Sequence, residues 1–582
     1  MANIPEKHEH SKLNQAFATA ICGNDILSSC LYVSGIAILF SGIFAPFVLA
    51  FIAFILFLYK LVYTEAVEAL PVNGGAYNCL LNGTSKAVAA IAGVMTFLSY
   101  IATAVISAKV GMEYLHTIVP DLPVHWGTIG LLFLFAMLVI VGIKDSARVA
   151  LGIFLIHIIT LVLFLILGAV HSSADTSYFI ENFHNTASLV TEKGGLFSML
   201  YLAFSSSLLG VSGFESSANF VEEQGKGVFR KTLRNMLIGV AIFNPLIALV
   251  VLESMPYDAI VAAKDFLLAD TAMIIGGHWF KILVVIDAFC VLSGAVLTSY
   301  VGVSGLLSRM SADACLPSFF CKQNKRGSFP RIVLSFFVLC SSILLITKGN
   351  LLSLAGVYTI AFLGVMSLFA LGNLILKESR PELKRTYSAP VVAVVIALFA
   401  TLFGIFGNIR IDANNLRFFA IYFIPTILIV LCVIYNDYIL RFLLRMTKNV
   451  TWFHSKIQSK FGDITQGKFI AFVHHPSRLF PIIDYINRNE TGRNILLIHC
   501  SEGHDHPSNY EAIKTVLPNL QKAGAFPHLH LELVHKQRSF GPDVIDDVSR
   551  EYGVRKNRIM IGSIHSSHPF DYNDLGGARI IF

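Results

Sequence analysis

CGNDILSSC, residues 22–30, lies inside the first long apolar run of the chain. A membrane helix would carry this stretch into hydrocarbon, yet it holds an asparagine, an aspartate, a glycine and two serines. An unpaired acid at that depth costs about 2.5–3.5 kcal/mol on insertion scales. Polar, glycine-containing backbone is tolerated there only where it lines a cavity or is buried in protein. The stretch therefore predicts an interrupted span and a polar site near the middle of a bilayer.

The surrounding sequence supports a bilayer. Of 582 residues, 55% are hydrophobic, only 14% are charged and 46 are phenylalanine, whereas soluble domains carry about 25% charged residues. Apolar runs of about 20 residues, the length that crosses a hydrocarbon core, recur about twelve times. They centre near residues 27, 55, 101, 134, 160, 208, 243, 295, 340, 364, 398 and 427. Basic residues collect in alternate connections: Lys144 and Arg148; Lys226, Arg230, Lys231 and Arg234; Lys322, Lys325 and Arg326; Lys377, Arg380, Lys384 and Arg385. The positive-inside rule then puts both termini in the cytoplasm. The same rule accounts for the net charge of +7 without a nucleic-acid partner. The nine cysteines show no paired spacing and predict no disulfide framework. The polar N-terminus, MANIPEKHEHSKLN, precedes no small-residue cleavage site, so no cleavable signal peptide is expected.

The pattern changes near residue 450. GKFIAFVHH, NILLIHC, HLHLELVHK and RIMIGSIH read as short apolar strands. RLFPIIDYINR, NYEAIKTVLPNLQKAG and DVIDDVSREYG read as the helices between them. This alternation predicts a cytosolic, doubly wound α/β domain over 451–582, after a membrane domain over 1–450. The tail resembles universal-stress-type nucleotide-binding folds but has no Walker loop and no GxGxxG. His499, His504 and His506 in HCSEGHDH could hold zinc, or could be a polar loop at the carboxyl end of a strand. Ligands bind at that end of open sheets, so a regulatory ligand such as a nucleotide is favoured over zinc. No other cofactor is expected.

A second interrupted span should accompany the first if the chain is built from two repeats. Five spans later, FSSSLLGVSGFESSANF (204–220) places Ser207, Gly210, Ser212 and Gly213 in an apolar setting. Small residues can also serve helix packing, but two such segments at this separation favour a binding site.

Four further patterns carry a family resemblance: ALPVNGGAYN (69–78), GIKDSARVA (142–150), SGFESSANFVEEQ (212–224) and GLLSRMSADACLP (305–317). With them the chain resembles the amino acid–polyamine–organocation superfamily over most of its first ten spans. The resemblance implies an all-α membrane protein of about twelve helices, with a LeuT-like five-plus-five inverted repeat and two additional helices. It also implies alternating access driven by an ion gradient, with a proton as the coupling ion. In amino acid permeases of this superfamily, amides at the first break grip the substrate carboxylate.

Gly23, Asn24, Asp25, Ser28 and Ser29 would line the site here. Asp25 would repel a carboxylate and so calls for an ammonium, a metal cation or a proton beside it. Alternatively, Asp25 caps the second half-helix by accepting from the amides of Leu27 or Ser28. Ser99, Thr103 and Ser107, at i, i+4 and i+8 of span three, put three hydroxyls on one helix face; they could equally back-bond to the preceding turn. NDILSSCLY and SYIATAVIS are similar to segments of KimA-type potassium–proton symporters. That branch carries an acid on span three where this chain has Ser99, which weakens a potassium site.

His157 in span five occupies the place of a lysine in proton-coupled permeases and would carry the proton, together with Asp25. A neutral, hydrogen-bonded histidine is the plainer reading. Lys60, Lys109 and Asp287 are placed near span ends as snorkelling or salt-bridged groups, and Glu215 as a brace for the second break.

The expected function is proton-coupled uptake of an amino acid or amine. Potassium–proton symport and a membrane sensor acting through the tail are the alternatives. No Ser/His/Asp elbow or HExxH suggests an enzyme. The expected setting is the inner membrane of a bacterium, with a small-molecule or cation solute and lipid as partners; a homodimer is compatible with the sequence.

Overall fold

A computed structural model describes residues 12–446, apart from 143–146, 175–176, 220, 222, 382 and 384. It also describes residues 468–581, apart from 491, 502–506, 523–525, 563–569, 571–574 and 576–577. The first body is helical. It begins with α1 (Gln15–Leu27), α2 (Cys30–Ser41), α3 (Ala45–Ala69), α4 (Gly75–Gly83), α5 (Lys86–His116) and α6 (Val124–Val141). It continues with α7 (Ala147–Ala174), α8 (Ser177–Glu192), α9 (Leu196–Ser207), α10 (Val228–Ser254), α11 (Tyr257–Ala262) and α12 (Leu267–Gly276). It closes with α13 (His278–Ala312), α14 (Pro330–Ile346), α15 (Leu351–Ser379), α16 (Val391–Ile411), α17 (Ala413–Ile434) and α18 (Asn436–Met446).

Among the described residues, ten segments are long and apolar enough to cross a membrane. One of them runs through α1, α2 and α3, and α14 is a shorter apolar helix. Large apolar side chains point outward in rows: Phe47, Phe51 and Phe54 on α3, Ile159, Ile166 and Val170 on α7, and Phe399, Phe403 and Phe406 on α16. Spacings of three, four and seven place each row on one helix face. A belt of this extent needs an apolar solvent. The protein is an integral membrane protein.

Inside the belt, α5 packs along α13 and α15, while α1 lies between α7 and α10. Side chains cap several helix starts. Asn14 Oδ1 accepts from Phe17 N at 3.0 Å and Asn350 Oδ1 from Ser353 N at 3.1 Å, each satisfying an otherwise orphan first-turn amide.

Beyond α18 the chain forms five parallel strands: β1 (Lys468–Phe472), β2 (Asn494–Cys500), β3 (His530–Lys536), β4 (Ile559–Ile561) and β5 (Arg579–Ile580), in the order β3-β2-β1-β4-β5. Lys468 pairs with Asn494, and Asn494 with His530. The connecting helices are α19 (Leu479–Asn489), α20 (Pro507–Lys522) and α21 (Pro542–Glu551). Ile482, Ile486, Ile513 and Leu517 from α19 and α20 build one apolar layer. Val544, Ile545 and Val548 from α21 build another. Strands covered on both faces read as continuous apolar runs, as ILLI (495–498) in β2 does. The two-residue β5 is too short to leave a strand pattern and was not expected.

The amino-terminal edge of this sheet faces the helix bundle. Glu490, just before β2, accepts from Lys86 Nζ and Arg579 Nη2, both at 2.8 Å, and Asn489 Oδ1 accepts from Lys86 N at 2.9 Å. Asn557 donates to the Ala312 carbonyl and Arg380 to that of Ile581. The carboxyl ends of β1, β2 and β3 carry a cluster of rings. There the His499 ring lies 6.0 Å from that of His474 and 5.9 Å from that of His535, centroid to centroid, with Tyr510 4.6 Å beyond. His499 Nδ1 faces the Val473 carbonyl at 2.8 Å. Among the described residues no three His, Cys, Asp or Glu side chains group as a metal site; His504 and His506 lie outside those residues.

Burial, followed by the neighbouring His474 and His535, holds His499 below the ordinary imidazole range against the opposing Val473 hydrogen bond. The folded tail therefore binds fewer protons than the unfolded chain as pH falls through about 6.5. Its stability is full above that range and declines below it. The protection of β2 amides against hydrogen exchange, corrected for the intrinsic rate at each pH, should fall between pH 7 and pH 5 in the full-length protein, and His499→Phe should flatten that change. An equal fall in both proteins would refute the assignment.

Candidate functional site

The site grows from two interruptions that touch. α1 ends at Leu27 and α2 starts at Cys30, with Ser28 and Ser29 between them. This break is shorter and later than the quoted stretch suggested, because Gly23, Asn24 and Asp25 remain inside α1. The hydroxyls of Ser28 and Ser29 account for it: they donate to the carbonyls of Asp25 (2.7 Å) and Ile26 (2.6 Å), the local competition by which serine loosens a helix. The second interruption is longer. After α9 the chain makes a 3₁₀ turn over Leu208–Val211, an irregular stretch at 212–214 and a second 3₁₀ turn over Glu215–Asn219.

The two breaks interlock. Ser29 Oγ also reaches the Gly210 carbonyl at 3.0 Å, and Asn244 Nδ2 donates to the same oxygen at 3.3 Å. Ser216 Oγ donates to Asp25 Oδ2. Gly213 has φ +88°, and a Cβ there would stand 2.9 Å from Asp25 Cγ. Glycine is thus required by the turn and by the close approach of the two chains. Asp25 does not cap the second half-helix. Its side chain points across to the other interrupted span, because it still belongs to α1.

Glu215 braces the second break. Its Oε2 accepts from Gly213 N at 3.1 Å and its Oε1 from Ser99 Oγ at 3.2 Å. Thr103 Oγ1 donates to the Ser99 carbonyl (2.9 Å) and can accept from Tyr358 OH (2.7 Å), so it back-bonds and also faces α15. Ser107 is buried further along α5, and Ser207 Oγ is buried with no partner among the described residues. Ser212 is buried between the two 3₁₀ turns.

Gly23 and Asn24 face elsewhere. A Cβ at Gly23 would meet Phe154 at 2.5 Å, and Asn24 Nδ2 donates to the Ala150 carbonyl at 2.9 Å. Both contact α7 and point away from the direction of Asp25, since successive helical residues turn by about 100°. These two residues therefore lie apart from the cluster that the sequence reading gave them.

His157 is not alone. Its Nδ1 lies 2.7 Å from Asp287 Oδ2, and its Nε2 lies 3.4 Å from the Leu27 carbonyl at the first break. This pair ties α7 and α13 to the end of α1, with both side chains buried. An imidazolium would donate to both oxygens, while a neutral ring can donate to only one. Asp287, expected to be snorkelling or salt-bridged, is salt-bridged; it lies nine residues into α13 and is buried. Ser216 was missed as a site residue. It reads as one serine among many, and only the fold of the second break aims it at Asp25.

The Amino acid permease family model matches residues 13–432. The chain belongs to the amino acid permease family. This permease is 24% identical over 369 residues to the branched-chain amino acid permease BcaP of Bacillus subtilis (strain 168), covering 59% of this chain and 76% of the relative. Solved structures of two mutants of the Eremococcus coleocola manganese transporter, each 12% identical, cover 75% of this permease and 95% of their own chains at a TM-score of 0.49. That likeness is too loose to carry an argument. Both interruptions, His157 and Asp287 lie inside the family match, whereas the five-stranded tail lies outside it. The permease is a secondary transporter carrying small-molecule solutes through a lipid bilayer, and not an enzyme.

Proposed function

We propose that this permease takes up an amino acid or amine together with protons, by alternating access of a five-plus-five inverted repeat with two further helices. Twelve crossings follow if α1 with α2 makes one span, α3 the next, and α14 is counted. The permease would then sit in a bacterial inner membrane with both termini in the cytoplasm, the tail acting as a regulatory domain. One observation carries the reading. Two buried acids, Asp25 and Glu215, converge where the interrupted spans meet, and neither forms an ion pair with a basic side chain among the described residues. Buried carboxyls with hydrogen-bond donors but no basic partner call for a cation or a proton.

A substrate ammonium at Asp25 would meet that need, with Ser216, Ser29 and the span-three hydroxyls around it. His157, held by Asp287, would take up and release the coupling proton where the first break ends. The name of the B. subtilis relative makes a branched-chain amino acid the first solute to test.

The same two acids favour a second reading, potassium–proton symport. Proteoliposomes loaded at high internal pH separate the two. Labelled leucine or another amino acid should accumulate and collapse with a protonophore. Saturable rubidium uptake that amino acids do not inhibit would overturn the amino acid reading in favour of the second.

A further inference from the structure

Between the bundle and the amino-terminal edge of the sheet lies a cavity of about 1030 Å³. Ligand sites commonly occupy about 300–1,000 Å³. Its walls are of two kinds. Leu316, Val433, Ile434 and Phe469 supply an apolar side, while Lys86, Lys468, Arg555, Arg558 and Arg579 supply positive charge. Two acids, Glu490 and Asp313, are the lining's negative groups, and both are already engaged. Glu490 holds Lys86 and Arg579, and Asp313 accepts from Tyr77 OH at 3.0 Å and pairs with Arg309 at 3.3 Å.

The positive side is left in excess. Lys468, Arg555 and Arg558 are exposed and have no carboxylate partner among the described residues; Arg558 lies over the Phe469 ring at 5.5 Å. Arg579 is only 2% exposed, yet its Nη1 has no hydrogen-bond partner among the described residues. With Arg579 in the lining and three further cations on the rim that form no ion pair among the described residues, the cavity holds more donors than acceptors. Guanidinium groups match phosphate oxygens with paired donors, and the apolar wall suits an organic group attached to the phosphate.

We propose that this cavity binds an organic phosphate, which fastens the tail to the bundle between the start of α5 and the end of α13. The site is separate from the carboxyl edge of the sheet, where the histidines stack, and it does not depend on which solute is transported.

The test uses delipidated full-length permease in neutral detergent. Titration calorimetry with ADP and with inorganic pyrophosphate forms one arm. Native mass spectrometry with phosphatidylglycerol against phosphatidylcholine forms the other. Saturable binding in the first arm assigns a soluble ligand, and selective retention of phosphatidylglycerol in the second assigns a headgroup. Each supports the proposal if Arg555→Glu/Arg558→Glu weakens it by about tenfold or more, as loss of charge-assisted bonds requires. Both positions are exposed, so the variant should fold; Lys468→Glu, also exposed, gives an independent check. Binding in neither arm, or binding unchanged in both variants, overturns the proposal.

Discussion

Asp25→Asn is expected to reduce concentrative uptake by about 100-fold, since a hydrogen bond to a charged group is worth about 1.5–3 kcal/mol and each 1.36 kcal/mol is tenfold in rate. The substitution keeps the size of the side chain and can still accept from Ser216, so the interlock between the two breaks survives. What it removes is the negative charge beside the Gly213 turn. Ser216→Ala leaves that charge in place and removes one donor, and is expected to cost about tenfold. Initial rates in proteoliposomes, normalised to reconstituted protein with matched unfolding temperatures, measure both. Wild-type uptake by Asp25→Asn would remove Asp25 from the solute or proton path. A larger loss from Ser216→Ala than from Asp25→Asn would mean that the interlock, and not the charge, is what uptake needs.

The second large effect belongs to the His157–Asp287 pair. Removing one member of a buried pair strands the other and costs about 3–5 kcal/mol, whereas replacing both by apolar groups of similar volume is often neutral. His157→Phe is therefore expected to lower the unfolding temperature sharply, and His157→Phe/Asp287→Leu to recover most of the loss. Transport should separate from stability. The stable double variant lacks the imidazole that faces the Leu27 carbonyl but keeps Asp25, so it should still exchange labelled for unlabelled solute. It should fail to accumulate solute when a proton gradient is imposed. Differential scanning fluorimetry together with counterflow and gradient-driven uptake makes the comparison. Gradient-driven accumulation by the double variant at the wild-type level would exclude the pair from coupling. Additive destabilisation would mean that the two side chains do not depend on each other.

Much of this was legible in particular residues. Polar groups at 22–30 and 204–220 stand out against apolar surroundings because hydrocarbon penalises them, and both proved to be places where helix gives way. The i, i+4, i+8 hydroxyls of span three share a face, as helical geometry requires. In the tail, short apolar runs between amphipathic helices read directly as strands covered on both faces.

The misses share a cause. Gly23 and Asn24 were grouped with Asp25 because they adjoin it in sequence, but adjacent helical residues point about 100° apart, and these two meet α7. The salt bridge expected of Asp287 is present, but its partner, His157 on α7, lies 130 positions away and no local pattern names it. Nor could a one-dimensional pattern show which edge of the sheet meets the bundle, since that depends on where Glu490, Arg579 and Lys86 come together.

From its residues alone this protein is committed to a membrane and to two interrupted spans, because burial of polar backbone and acids in hydrocarbon carries a cost that local composition displays. Only the tertiary structure decided which groups answer one another across those spans: Ser216 for Asp25, Asp287 for His157, Glu490 for Lys86. Such pairings join residues more than a hundred positions apart, and their energy comes from distance in space, which sequence order does not record.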